Sequence, residues 1–178
     1  MKFPPNTVQS RFESPLGRIT LAATDDALVG VFFDQQAHMP EVNHWPVADE
    51  HPILLQAQAE LTEYFAGQRR TFEVPLDLSS GTPFQQAVWQ ALLAIPCAAT
   101  TSYGAISAKI GKPAAVRAVG GAVGRNPVSI IVPCHRLVGA NGSLTGYAGG
   151  LPRKTALLQL EGAAPSLFSE SVSTPSLF

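Results

Sequence analysis

Between positions 81 and 160 this chain of 178 residues carries no acidic side chain. What that stretch does hold is Lys109, Lys112, Arg117, Arg125, Arg136, Arg153 and Lys154, a balance of +7. Residues 1–80 hold five Lys/Arg against eleven Asp/Glu, a balance of −6, so the overall charge of −1 hides a division. A half stripped of acid points to a polyanionic partner. Cysteine is also scarce. Cys97 and Cys134 are the only two, too few for a disulfide framework and not in a C-x-x-C pair. His38, His44 and His51 fit no zinc spacing, so no metal is expected. No window approaches the ~18 apolar residues of a membrane span, and residues 1–6 lack the apolar core of a signal peptide. The expectation is a reduced, cytoplasmic protein with no membrane partner, in which Asn141-Gly142-Ser143 is a turn rather than a glycosylation site. Phosphate-cradling G-x-x-x-x-G-K and G-x-G-x-x-G motifs are absent, as are internal repeats.

Apolar content of 46% and charged content of 14% support a packed globular core. The first third reads as strands. Residues 18–24 and 27–33 are β-rich and joined by a short turn at Asp25-Asp26. Residues 35–50 read as a loop. Leu54, Ala57, Leu61, Tyr64 and Phe65 then recur at helical spacing up to Gly67. Residues 71–76 suit a further strand, and Ser79-Ser80-Gly81 a linker. Beyond it, Thr82-Pro83-Phe84-Gln85 has a capping-box pattern with Pro at the first helical position. Phe84, Val88, Ala91, Leu92 and Ile95 form an apolar stripe with Trp89 off to one side. Ser102 suits an N-cap for a short helix to Ile110. Gly111-Lys112-Pro113 makes a turn, and residues 114–123 form a second helix. Two short helices on a tight turn make a helix-turn-helix pattern. Asn141-Gly142 signals a hairpin turn, and residues 153–161 form a last helix ended by Gly162. The expected division is residues 1–80, an acidic α/β scaffold; 81–162, the DNA-binding and active half; and 163–178, a Ser/Pro-rich tail.

The chemistry gathers at Pro133-Cys134-His135-Arg136, behind the β-branched run Ile130-Ile131-Val132, which reads as a strand. A free thiol is mostly protonated at neutral pH, so a nucleophilic cysteine needs a base. His135 is adjacent, yet strand neighbours point to opposite faces. The chain must therefore turn after Pro133, or a water must bridge the two groups. A histidine base also needs an acceptor on its other ring nitrogen. The only carboxylate between Leu78 and Ser169 is Glu161, so an orienting carboxylate in the basic half is Glu161 by elimination. These residue types alone would equally serve an acyl-transfer enzyme such as a peptidase, and the helix pair alone would serve a DNA-binding regulator. Cys97, with no His or acid beside it, reads as structural.

The run Ile131-Val132-Pro133-Cys134-His135-Arg136 closely resembles the active-site motif of the O6-alkylguanine-DNA alkyltransferases (methylated-DNA–protein-cysteine methyltransferases). Ser102-Tyr103, Arg117-Ala118-Val119-Gly120, Asn126-Pro127 and Gly146-Tyr147-Ala148-Gly149-Gly150 follow the family in order and spacing, from about Thr82 to Gly162. The resemblance implies an α+β fold: a small N-terminal antiparallel-sheet, ribonuclease-H-like domain and a mainly helical C-terminal domain with a helix-turn-helix. It implies a monomer without cofactor that docks in the minor groove of double-stranded DNA and flips out an O6-alkylguanine. The alkyl group then passes irreversibly to its own cysteine. Cys134 would be the nucleophile, His135 the base acting through a water, Glu161 the orienting carboxylate, and Asn126 a brace for the turn. Tyr103 would donate to the departing guanine, and Arg117 would fill the vacated stack. Ser102, Lys112, Ala118, Gly120 and Arg136 would join Arg117 and Tyr103 against DNA. Val123, Ser129, Leu137, Tyr147 and Ala148 would line the pocket. Ala148 stands where many members carry Ser, and Ser129 where some carry Pro, so methyl is the expected group transferred.

Overall fold

A computed structural model describes residues 1–164; the expected tail lies, beyond its first two residues, outside them. Three antiparallel strands open the chain in the order β1-β2-β3: β1 (Val8–Ser14), β2 (Gly17–Ala23) and β3 (Leu28–Phe33). β2 and β3 are the two strands expected around Asp25-Asp26, and Thr24 N–H closes their turn on Ala27 O at 2.9 Å. β1 was not foreseen in the sequence. Its buried Gln9 and Ser10 break the apolar alternation, and Gln9 is satisfied by Val42 O and Trp45 O at 2.7 and 2.8 Å. Helix α1 (Pro52–Phe65) packs on this sheet through Leu54, Ala57, Leu61 and Tyr64.

Residues 71–76 form no strand. The backbone N–H groups of Glu73 and Val74 both donate to the buried Glu60 carboxylate at 3.0 Å. A side chain has taken the place of a neighbouring strand, leaving a single bridge from Leu76 to Leu28. Gly81 then lies so close to the Trp89 ring that a β-carbon would sit 2.3 Å from it, so only glycine fits there.

The second half is helical: α2 (Pro83–Leu92), α3 (Tyr103–Lys109), α4 (Val116–Gly124) and α5 (Leu151–Glu161), with a parallel pair β4 (Thr101–Ser102) and β5 (Leu137–Val138). The capping box of α2 is formed as the sequence implies, Thr82 and Gln85 serving each other's backbone N–H groups. Trp89 is not off to one side. It is fully buried, and its indole N–H donates to Ala122 O at 2.9 Å, tying α2 to α4. The Asn141-Gly142 turn forms, with Gly142 at φ 81°, but no hairpin follows because β5 is two residues long and pairs in parallel with β4. One apolar cluster, from Ile19 and Leu61 through Val88 and Val119 to Leu157, runs across both halves. The architecture is α+β.

Candidate active site

Cys134 is on no strand. Ile130 adopts φ 73°, a conformation strongly disfavoured for a β-branched residue, and local bonds from Ile131 N–H to Ser129 O and Cys134 N–H to Val132 O curl the run into successive turns. Pro127 and Pro133 bracket it and supply no ladder donors. Cys134, His135 and Arg136 form a single 3-10 turn. The chain thus turns directly after Pro133, and Cys134 Sγ and the His135 ring share no direct hydrogen bond among the described residues.

Asn126 holds this turn from the end of α4. Its amide N–H groups donate to Val132 O at 2.8 Å and lie 3.2 Å from Cys134 Sγ, while its carbonyl accepts from Val128 N–H at 2.9 Å. The outer edge of β3 holds the same segment: Val31 N–H donates to Pro127 O and Val31 O accepts from Ser129 N–H. The N-terminal sheet is therefore the mount of the reactive turn.

Glu161 sits at the end of α5 and is buried. Its Oε1 lies 2.7 Å from His135 Nε2 and accepts from Tyr64 Oη at 2.7 Å and Arg136 Nη2 at 2.8 Å; Oε2 accepts from Arg136 Nε at 3.0 Å. Burial pushes the carboxyl's pKa up, but the hydrogen bonds and charges of His135 and Arg136 outweigh it and hold it well below the ordinary range. His135 is the opposite case. Its burial outweighs the attraction of Glu161 and lowers its pKa, which favours the neutral ring. A neutral ring donating Nε2–H to Glu161 presents Nδ1 as a bare acceptor, and Nδ1 is buried with no partner among the described residues. Burial likewise raises the Cys134 thiol, opposed by the Asn126 bond and the charge of Lys154.

Cys134 forms part of the wall of a cavity of about 380 Å³ shared with Tyr103, Gly120, Val123, Thr145, Tyr147 and Ala148. Tyr103 Oη accepts from Thr145 Oγ1 at 3.2 Å, which leaves its own hydrogen free to donate. Lys154 is fully buried behind this wall, its Nζ donating to Thr145 O and Gly146 O at 3.1 and 3.4 Å, and burial brings its pKa down to about 8.

Several expected placements need correction. Arg136 cannot meet DNA phosphates, because its guanidinium is buried against Glu161 and Ile95 O. Leu137 points into the core and Ser129 lies behind the wall, so neither lines the cavity. Ser102 caps α3 by accepting from Ala105 N–H at 3.0 Å. Arg117, Ala118 and Lys112 are exposed on the helix pair, and Gly120 is half-buried at the cavity rim. Cys97 is partly exposed and lines a separate cavity with Ile95 and Arg136. The sequence reading missed Tyr64 and Lys154 as neighbours of the site. Tyr64 sits in an ordinary apolar stripe, and a lysine two turns before Glu161 looks like a surface charge.

Residues 83–163 match the 6-O-methylguanine DNA methyltransferase, DNA binding domain, and residues 8–78 match the ribonuclease-like domain of the same name. The methylated-DNA–protein-cysteine methyltransferase of Mycobacterium tuberculosis is 50% identical over 149 residues, covering 84% of this chain and 88% of that one. The constitutive protein of that name from Bacillus subtilis is 46% identical over 152 residues, covering 84% and 92%. The crystal structure of Mycobacterium tuberculosis OGT in complex with DNA superposes with a TM-score of 0.81 at 48% identity, covering 86% of this chain and 92% of that one. The fold and these matches define a DNA alkyltransferase architecture. The chain belongs to the 6-O-methylguanine DNA methyltransferase family.

Proposed function

We propose that this protein repairs duplex DNA by taking the alkyl group, chiefly methyl, from O6 of a flipped-out guanine onto Cys134, once and irreversibly. The observation that carries the reading is the cysteine in the wall of a cavity beside α4, followed directly by His135 in its buried pair with Glu161. Sγ attacks the alkyl carbon, a C–S bond forms and the C–O6 bond breaks. The thiol proton passes through a bridging water to Nδ1 of His135, whose resulting charge Glu161 stabilises. Tyr103 Oη donates a hydrogen bond to the guanine as charge builds on the ring. The proton taken up by His135 returns through water to the guanine anion, which leaves neutral, and the imidazole is neutral again. A thioether has no ready leaving route, so the protein is spent.

Docking through α4 in the minor groove fits its surface. Ala118 and Gly121 are exposed, and β-carbons added at Gly120, Gly121 and Gly124 would meet nothing within 4 Å. Packing within the chain therefore does not demand such small residues, whereas close approach to a narrow groove does. No side chain caps the N-terminus of α4, so its first amides are open to phosphate. Arg117 on its exposed face is the wedge that replaces the extruded base. The protein acts as a monomer.

The test is intact mass before and after incubation with excess O6-methylguanine duplex, with peptide mapping. One methyl per chain on Cys134 is expected, and Cys134→Ala should bind duplex yet gain no mass. Repeated turnover, or methyl on Cys97, would overturn the reading.

A further inference from the structure

The cavity wall has a contribution from outside the C-terminal half: Ala37 and His38, on the segment that follows β3. This segment is fastened to the reactive loop from several sides. Ala37 N–H donates to Ala148 O at 2.9 Å. Arg153 lies over the Phe33 ring and bridges Asp34 O and Gly149 O at 3.2 and 3.3 Å. Gln36 turns back to accept from Phe33 N–H at 2.8 Å, with Ser129 Oγ 3.5 Å from the same oxygen. Gln35 and His38 both adopt the left-handed backbone region, at φ 63° and 57°. Two such residues within four positions persist only where the surroundings impose them, and they concentrate where a ligand must be met.

The remaining walls have assigned tasks. Tyr103, Gly120, Val123 and Gly124 stand on the helix-turn-helix side, where an extruded base enters. Ala37, His38 and Ala148 line the same cavity as Cys134, so a group larger than methyl carried towards Sγ has to share that space with them. Two of these are alanines. His38 is the large side chain that the N-terminal half supplies to the lining, and Tyr147, beside Ala148, belongs to the C-terminal half.

We infer that His38 sets the size of the alkyl group this protein accepts, acting as a specificity-determining residue supplied by the N-terminal domain. The inference rests on the alkyl-transfer reading above and deepens it. It also gives the acidic half a direct part in substrate choice beyond mounting the reactive turn.

The experiment compares single-turnover transfer to Cys134 from O6-methylguanine and O6-benzylguanine, each as the free base and within a duplex. It uses the full chain with H38G and H38N, both of which suit a positive φ and keep the segment's path. H38G should raise the benzyl-to-methyl rate ratio roughly tenfold, the scale on which a pocket discriminates by size, and H38N should fall between it and the parent. A ratio within about twofold of the parent in both variants overturns the inference. So does loss of duplex transfer for both substrates with free-base transfer unmoved, which would mark His38 as a contact to the DNA strand. A parent protein that transfers neither group overturns the functional reading itself, and this inference with it.

Discussion

The two halves of the molecule carry opposite charge, and they use it differently. The N-terminal acids are mostly at the surface: Asp25, Asp26, Glu41 and Glu50 are exposed. Residues 81–162 hold one acid, Glu161, and it is buried and held by Tyr64, His135 and Arg136. The cations of that stretch divide as well. Arg136 and Lys154 are buried, and Arg153 is half-buried with its guanidinium on backbone carbonyls. The exposed remainder, Lys109, Lys112, Arg117 and Arg125, belongs entirely to the helix-turn-helix and its end, and none forms an ion pair among the described residues. The +7 of the sequence is a fully exposed charge of four, confined to the helix-turn-helix segment and its end. Bulk composition marks the half that carries the positive charge; burial marks which of its cations are free to meet a partner.

The contrast is sharpest at the acids. Glu161→Ala leaves Arg136 and His135 buried without their counter-group and should cost about 3–5 kcal/mol of stability. Asp26→Ala, exposed in a turn, should stay within about 0.5 kcal/mol. Urea unfolding of both variants checks this, and similar losses would dissolve the distinction. The cations give a smaller, directional effect. Lys112→Ala, which removes an exposed cation of the helix pair, should flatten the dependence of log K for duplex on log salt by about 0.9, one phosphate's worth of released counterion, and weaken binding with it. Arg11→Ala on the acidic half should leave the slope alone, and an equal change in the two would spread the footprint over both halves. The smallest effect separates stability from docking. Gly121→Ala adds a methyl that meets nothing and should stabilise α4 by about 0.5–1 kcal/mol, read as a rise in Tm, while lowering affinity for duplex. Unchanged affinity would mean that the bare face is not where DNA approaches.

Much of this was legible in the sequence where the signal is local. The capping box at Thr82 and Gln85, the Asp25-Asp26 turn and the two short helices around Gly111 depend on residues within a few positions of one another. The identity of Glu161 followed from scarcity, since no other carboxylate was available. What could not be read depends on distant groups. Glu60 occupies the backbone donors of residues 73 and 74 and so cancels a strand whose composition favoured one. Ile130, Ile131 and Val132 have strand propensity, yet tertiary contacts to Val31 and the bracketing prolines fold them into turns. Arg136 looks like a phosphate contact until Glu161 is seen beside it. His38, in a stretch with no periodicity, gave no sign that it would reach the cavity.

One carboxylate gathers groups from widely separated parts of the chain: a phenol from α1, and an imidazole and a guanidinium from the reactive turn. Lifting α5 away would strip the ring of its tautomer and the arginine of its counter-ion in the same movement. On the transfer reading proposed above, chemical competence and the closed fold are then a single cooperative event, and a partly opened molecule would hold an inert sulfur rather than a loose, indiscriminate one.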